Sequence, residues 1–227
     1  MRPHLSTPII HLLTASFCFA SFWFVCPSRS QDATSLPKLS ADAKEAAEKG
    51  IILFRNDKLE EAKAQFKKMT ELAPNHPMGW VNLGSAEYQL GDFGAAERDL
   101  RKAIGLDLTA QQAWLTLGMI EYQTGDLDGG LAALSQAVYL QPNDAKAHLF
   151  LGVLIRKKGW LNGAEDEMRK AIALDDRYAE AHYNLAVLYF ERQPPALELA
   201  RRHYYRALSL GAEPDPELER ALNRPNP

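Results

Sequence analysis

Residues 80–84 read Trp-Val-Asn-Leu-Gly and residues 114–118 read Trp-Leu-Thr-Leu-Gly, a spacing of 34 that lays Leu83 on Leu117 and Gly84 on Gly118. One further step of that length lands on His148, Leu151 and Gly152, and the next on His182, Leu185 and Ala186. An earlier, degenerate copy puts Ala46, Lys49 and Gly50 in the same slots. Downstream of each copy a quartet recurs: Ala62, Phe66, Met69 and Leu72 match Ala96, Leu100, Ala103 and Leu106, then Gly130, Leu134, Ala137 and Leu140. Ala164, Met168, Ala171 and Leu174 follow, and Ala200, Tyr204, Ala207 and Leu210 close the series after an insertion of about two residues. Steps of four, three and three put each quartet on one helical face, so every unit holds two amphipathic helices.

Gly91-Asp92 and Gly125-Asp126 separate the two helices of their units. Glycine takes the left-handed conformation that ends a helix, and aspartate caps the next one. Gly159 keeps the stop in the fourth unit, whereas Gln193-Pro194-Pro195 replaces it in the fifth. Pro74 and Pro142 block continuation after the second helix of their units. Turns this short force antiparallel hairpins. Gly84, Gly118, Gly152 and Ala186 are small where the facing helix must approach, as are Ala96 and Ala164.

This combination of Trp-x-x-Leu-Gly, Gly-Asp, a small-large-small face and a terminal proline resembles the tetratricopeptide repeat. The resemblance implies an all-α, helical-hairpin solenoid of about five repeats wound as a right-handed superhelix. Its units fall at 43–76, 77–110, 111–144, 145–178 and 179–212, after a segment at 1–30 and a linker at 31–42. A C-terminal cap and tail occupy 213–227, with a short helix over Glu217 to Leu222. The first unit lacks the tryptophan and leucine, and Leu108 and Asp176 stand where the proline belongs.

Composition narrows the function classes. The 227 residues are 46% hydrophobic and 24% charged, enough for a sizeable ordered body. With 26 basic against 29 acidic side chains and no long basic block, nucleic acid is not the expected partner. The only two cysteines, Cys18 and Cys26, precede the repeats, leaving these without disulfides, zinc thiolates or a cysteine nucleophile.

Arg2 and His4 precede an apolar run from Ile9 to Val25, followed by Cys26, Pro27, Ser28, Arg29 and Ser30. A basic start, an apolar middle and small residues at the exit are the layout of a secretory signal, with cleavage after Ser30. A retained membrane anchor at 9–25 and a lipid-modified Cys26 are the alternatives. The expected location is therefore outside the cytoplasm, in a periplasm or cell envelope.

No catalytic residue, metal ligand or cofactor site is expected. There is no glycine-rich phosphate loop, serine elbow or His-Glu-x-x-His. His148 and His182 occupy the packing slot of Trp80 and Trp114. Glu87 and Glu121 fall where the family usually has tyrosine and are the one candidate acid-base pair. An open solenoid surface is expected to leave them solvated and salt-bridged, with ordinary pKa values.

In the family, the second, fifth, ninth, twelfth and thirteenth slots of each unit line an inner face that binds peptides or partner helices. Carried onto this chain, the implied groove comprises Met78, Tyr88 and Gln89, then Met119, Tyr122 and Gln123, then Arg156 and Lys157, and finally Tyr183 and Phe190. Val81, Leu115 and Leu149 share these slots and have a second reading as packing between units. Lys44, Arg55, Lys146, Arg156 and Lys157 against Glu180 and Glu191 make the face basic, which favours an acidic partner. The ninth slots hold Ile51, Ser85 and Met119, so the asparagine with which some relatives clamp chaperone tails is missing. A peptide-binding scaffold is the leading expectation. An enzyme or enzyme accessory using Glu87 and Glu121, and a structural subunit of an oligomer, are the alternatives.

Overall fold

The structure is a computed structural model and describes residues 38–223. The expected signal or anchor segment and all but the end of the linker lie outside the described residues. Every regular element among the described residues is a helix. They form two compact units, 38–142 and 143–223.

In the first unit, α1 (Ala41–Arg55) pairs with α2 (Leu59–Leu72), α3 (Pro77–Gln89) with α4 (Phe93–Leu106), and α5 (Gln111–Thr124) with α6 (Leu127–Leu140). The hairpins stack through α2 on α3 and α4 on α5, with α3 also touching α5. In the second unit, α7 (Ala145–Lys157) pairs with α8 (Leu161–Leu174), and α9 (Ala179–Glu191) with α10 (Leu197–Ser209). There α8 packs on α9, and α11 (Pro216–Leu222) closes against α10.

The recurring small residue explains why the hairpins close tightly. A Cβ on Gly118 would stand 2.5 Å from Leu134 Cγ, and one on Gly84 would stand 2.7 Å from Leu100 Cγ. Both leucines are the large member of the quartet and are fully buried. Each contributes roughly 1.5–3 kcal/mol by leaving water. The quartet alanines Ala62, Ala96, Ala164 and Ala200 are likewise fully buried.

The turns follow the sequence reading, with Gly159 at φ 84° keeping the stop in the fourth unit. Gly125 ends α5 at φ 91°, and the Asp126 side chain accepts from the Gly129 amide at 2.9 Å. Asp92 does the same for the Ala95 amide at 3.2 Å. After Gly159, however, Trp160 takes the capping position with no side-chain cap bond, an absence worth about 1 kcal/mol. Its indole is 54% exposed, beneath the Lys158 ammonium at 5.3 Å from the ring centre.

The C-terminal helix is fixed more firmly than its seven residues suggest. Leu218 and Leu222 are buried, and Asp215 accepts from the amides of Glu217 and Leu218 at 3.0 Å each. The same carboxylate accepts from the Tyr183 hydroxyl at 2.7 Å, while the Asp215 amide donates to Tyr204 Oη at 2.9 Å.

Candidate functional site

In the first unit the inner-face slots lie on α1, α3 and α5. Met78 and Gln89 are exposed, while Tyr88, Tyr122 and Gln123 are half-buried. The Gln123 amide donates to Tyr88 Oη at 3.0 Å, joining neighbouring repeats. Burial pushes the Tyr88 phenol up to about 12. Met119 is only 5% exposed, and Val81 and Leu115 are buried too. Val81 and Leu115 thus follow their packing reading, whereas Met119, expected to line the groove, is taken up by the core. Lys44 and Arg55 on α1 are exposed.

In the second unit Arg156, expected as an exposed charge, is 9% exposed and donates to Glu191 at 2.6 Å. Its charge is thus matched by Glu191, which the inner face already counts among its acids, so Arg156 is not a free cation for a partner. Arg156 and Glu191 sit two repeats beyond Tyr88 and Gln123, in the same twelfth-to-thirteenth-slot contact, each pair 35 residues apart. That offset of one period plus one is a signal the sequence carried. Lys157 is exposed and Phe190 half-buried, whereas Tyr183 is buried and held by Asp215. Leu149 is buried. Burial pushes Lys146 down and Glu180 up.

Glu87 and Glu121 depart from the solvated reading. They are 4% and 5% exposed. Burial, and then the Asp99 carboxylate, push Glu87 up to about 7 against the pull of Lys63, whose Nζ is 3.6 Å away. Burial pushes Glu121 up as well, opposed by Arg101, which donates to it at 2.9 Å. The expected salt bridging is therefore present, on buried rather than exposed carboxylates. Tyr189, two repeats after Glu121, accepts from Arg169, two repeats after Arg101, at 2.9 Å. The slot thus meets the preceding second helix whether it holds tyrosine or glutamate.

The tryptophan slot also has a recurrent task. The Trp80 and Trp114 indoles donate to the carbonyls of Pro74 and Leu108, six residues back, at 2.8 and 2.9 Å. The Asp176 backbone, also six back from His182, pulls the pKa of that ring up against its burial. In addition, His148 Nδ1 meets Glu167 Oε2 at 2.6 Å, and His182 Nδ1 meets His203 Nδ1 at 2.9 Å with the rings stacked. The His203 partnership was not foreseen because the insertion shifts it out of register. His76 is a buried residue at the start of α3. Among the described residues no group of three or more His, Cys, Asp or Glu side chains is placed to hold a metal, and no helix is long and apolar enough to cross a membrane.

Comparison with known proteins agrees with the hairpin geometry. The chain is similar in fold to MamA from Desulfovibrio magneticus RS-1, at 23% identity and a TM-score of 0.65 over 82% of this chain and all of that one. It is also similar to a tetratricopeptide protein of Thermus thermophilus, at 21% identity and TM-score 0.63, covering 79% and 96% of the two chains. YrrB, described as a tetratricopeptide protein with an unusual peptide-binding site, gives 22% identity and TM-score 0.60, covering 81% and 96%. No curated protein sequence matches the chain significantly. The tetratricopeptide repeat profile matches residues 47–113, 81–145 and 115–176, more than half of the chain. With the glycine-to-leucine contacts and capped turns repeating in register, the chain belongs to the tetratricopeptide repeat family.

Proposed function

We propose that the chain is a non-catalytic scaffold that holds a peptide or partner helix on the inner face of its repeats, in cell-envelope assembly or secretion. Family membership supports a role in protein–protein interaction, and YrrB, of similar fold, is described as having a peptide-binding site. The observation that carries the reading is the Tyr88–Gln123 bridge, flanked by Gln89 and Tyr122, with Met78 on the same face at the other end of α3. These side chains offer ring, thioether and amide surface to an apolar peptide with hydrogen-bonding backbone. Lys44 and Arg55 of the same unit are exposed and favour an acidic residue in that peptide. Export rests on the sequence of residues 1–30 alone. Glu87 and Glu121 support the enzyme reading less well, because each is set against a different cation.

Crosslinking in intact cells, with fractionation, would identify the partner and its compartment. Tyr122→Ala should then weaken binding by about 1–2 kcal/mol or more. Arg55→Glu should act on the association rate and its salt dependence. Parent-like binding by both variants, with unchanged circular dichroism, would overturn the inner-face assignment.

A further inference from the structure

On the far side of α3 from Met78, Ser85 and Gln89, a cavity of about 420 Å³ is lined by residues of α2, α3 and α4, within the size range of small-ligand sites. Its lining includes Trp80, Glu87 and Asp99. Both carboxylates are more than nine-tenths buried. Glu87 Oε2 accepts from no donor of the protein and lies against the Asp99 carboxyl, with which it shares a proton when Glu87 is protonated, and Glu87 Oε1 reaches Lys63 only at 3.6 Å. Asp99 meets Arg98 at 3.5 Å, a side chain that is itself 73% exposed.

Internal comparison sharpens the point. Trp80 and His148 share a slot, and Asp99 and Glu167 stand in the same register 19 residues downstream of them. In the later repeat the histidine ring meets its carboxylate at 2.6 Å. Trp80 has only one N–H and gives it to Pro74, so it presents carbon surface where His148 presents a donor. Buried carboxylates demand a cationic or hydrogen-bonding partner, and here the protein supplies it loosely.

We propose that this cavity binds the guanidinium of an arginine side chain carried by a peptide, with Glu87 and Asp99 accepting its N–H donors and Trp80 stacking on its plane. A guanidinium matches carboxylates with a planar fork and stacks on aromatic faces, which an ammonium does less well. Lys67 and Arg98 also line the cavity, so a run of basic residues is repelled and an arginine flanked by acidic residues is preferred. The site is separate from the inner face and does not depend on it.

Ionised Glu87 is required, and its neighbours are Lys63, Asp92 and Asp99, with Lys67, Glu71 and Arg98 also on the cavity wall. Because Glu87 is pushed up to about 7, affinity should rise from pH 6 to pH 8, with proton release on binding.

The test titrates the full chain at pH 8 with acetyl-Glu-Arg-Glu-amide and with its citrulline counterpart, followed by calorimetry and by the NMR shift of the Trp80 indole N–H. The arginine peptide should bind at least roughly tenfold more tightly than the citrulline peptide and move the Trp80 signal. Glu87→Gln should bring the two peptides to equal affinity, and Lys63→Ala, which removes the competing cation, should tighten arginine binding. Tyr122→Ala should leave it unchanged, which separates this site from the inner face. If Glu87→Gln does not fold, Asp99→Asn serves in its place. Equal affinity for the two peptides on the parent chain, a silent Trp80 signal, or no binding at millimolar peptide would overturn the proposal.

Discussion

A side chain at Gly118 has nowhere to go, because Leu134 Cγ and Cδ2 already lie 2.5 and 3.0 Å from where its Cβ would be. Gly118→Leu should therefore cost about 1–3 kcal/mol, read from urea midpoints. Gly94 makes the contrast, since its Cβ would meet nothing within 4 Å in the first turn of α4. Gly94→Ala should raise stability by roughly 0.4–1 kcal/mol, because alanine fits this backbone and restricts the unfolded chain. Both outcomes were half-legible in sequence, since the 34-residue register marks Gly118 as a slot and Gly94 as a solitary glycine. Register did not reveal which charges are buried. Arg156 sits in the run Arg-Lys-Lys, which looks solvated, and only Glu191 in the next repeat takes it inside. Glu87 replaces a tyrosine that would bury its ring, so the carboxylate inherits a dry position. Nothing local to Glu87 announces that Lys63 and Asp99 surround it.

Helix pairing between α9 and α10 sets an acid response. Burial, then His182, then Arg202 and Arg169 push His203 down to about 4, against Glu165, and burial also pushes His182 down. A histidine whose folded pKa lies below its unfolded value near 6.5 contributes stability that is complete above that value. The contribution falls as pH drops from about 6.5 towards 4. His182 Nδ1 and His203 Nδ1 meet at 2.9 Å, so one of the two neutral rings donates and the other accepts. An added proton leaves two N–H groups facing each other. His203→Gln should flatten this loss when urea stability is compared with the parent at pH 7, 6 and 5. A parallel decline in both proteins would refute the assignment. The comparison must be differential, because Glu87, raised to about 7, contributes stability of the opposite sign in this window, gained as pH falls. The two helices were legible from the quartet Ala200, Tyr204, Ala207 and Leu210, but the His pair was not. His148 and its partner are 19 residues apart, whereas the insertion makes this separation 21.

For the whole chain, the repeat period made the hairpin order readable, because within each unit a hairpin packs on its sequence neighbour. The division into compact units at 142 and 143 was not readable, since the period runs through it unbroken. Nor was the dual use of Asp215, whose partners Tyr183 and Tyr204 belong to different helices. Within such arrays stability is roughly a sum of repeat and neighbour terms, so one melting curve need not describe both units. The tryptophan that replaced a capping aspartate after Gly159 makes this measurable by light. Trp80 and Trp114 in the first unit are half-buried and bonded to carbonyls, while Trp160 in the second is mostly in water already. With Trp23 changed to phenylalanine, the red shift of intrinsic emission on heating should report the first unit, while far-ultraviolet dichroism counts helices in both. Non-coincident curves are the expected result, and superimposable ones would show that the two units melt together. The indole that gave up a helix cap thus leaves the second unit spectrally silent, and the chain carries its own one-sided fluorescent label.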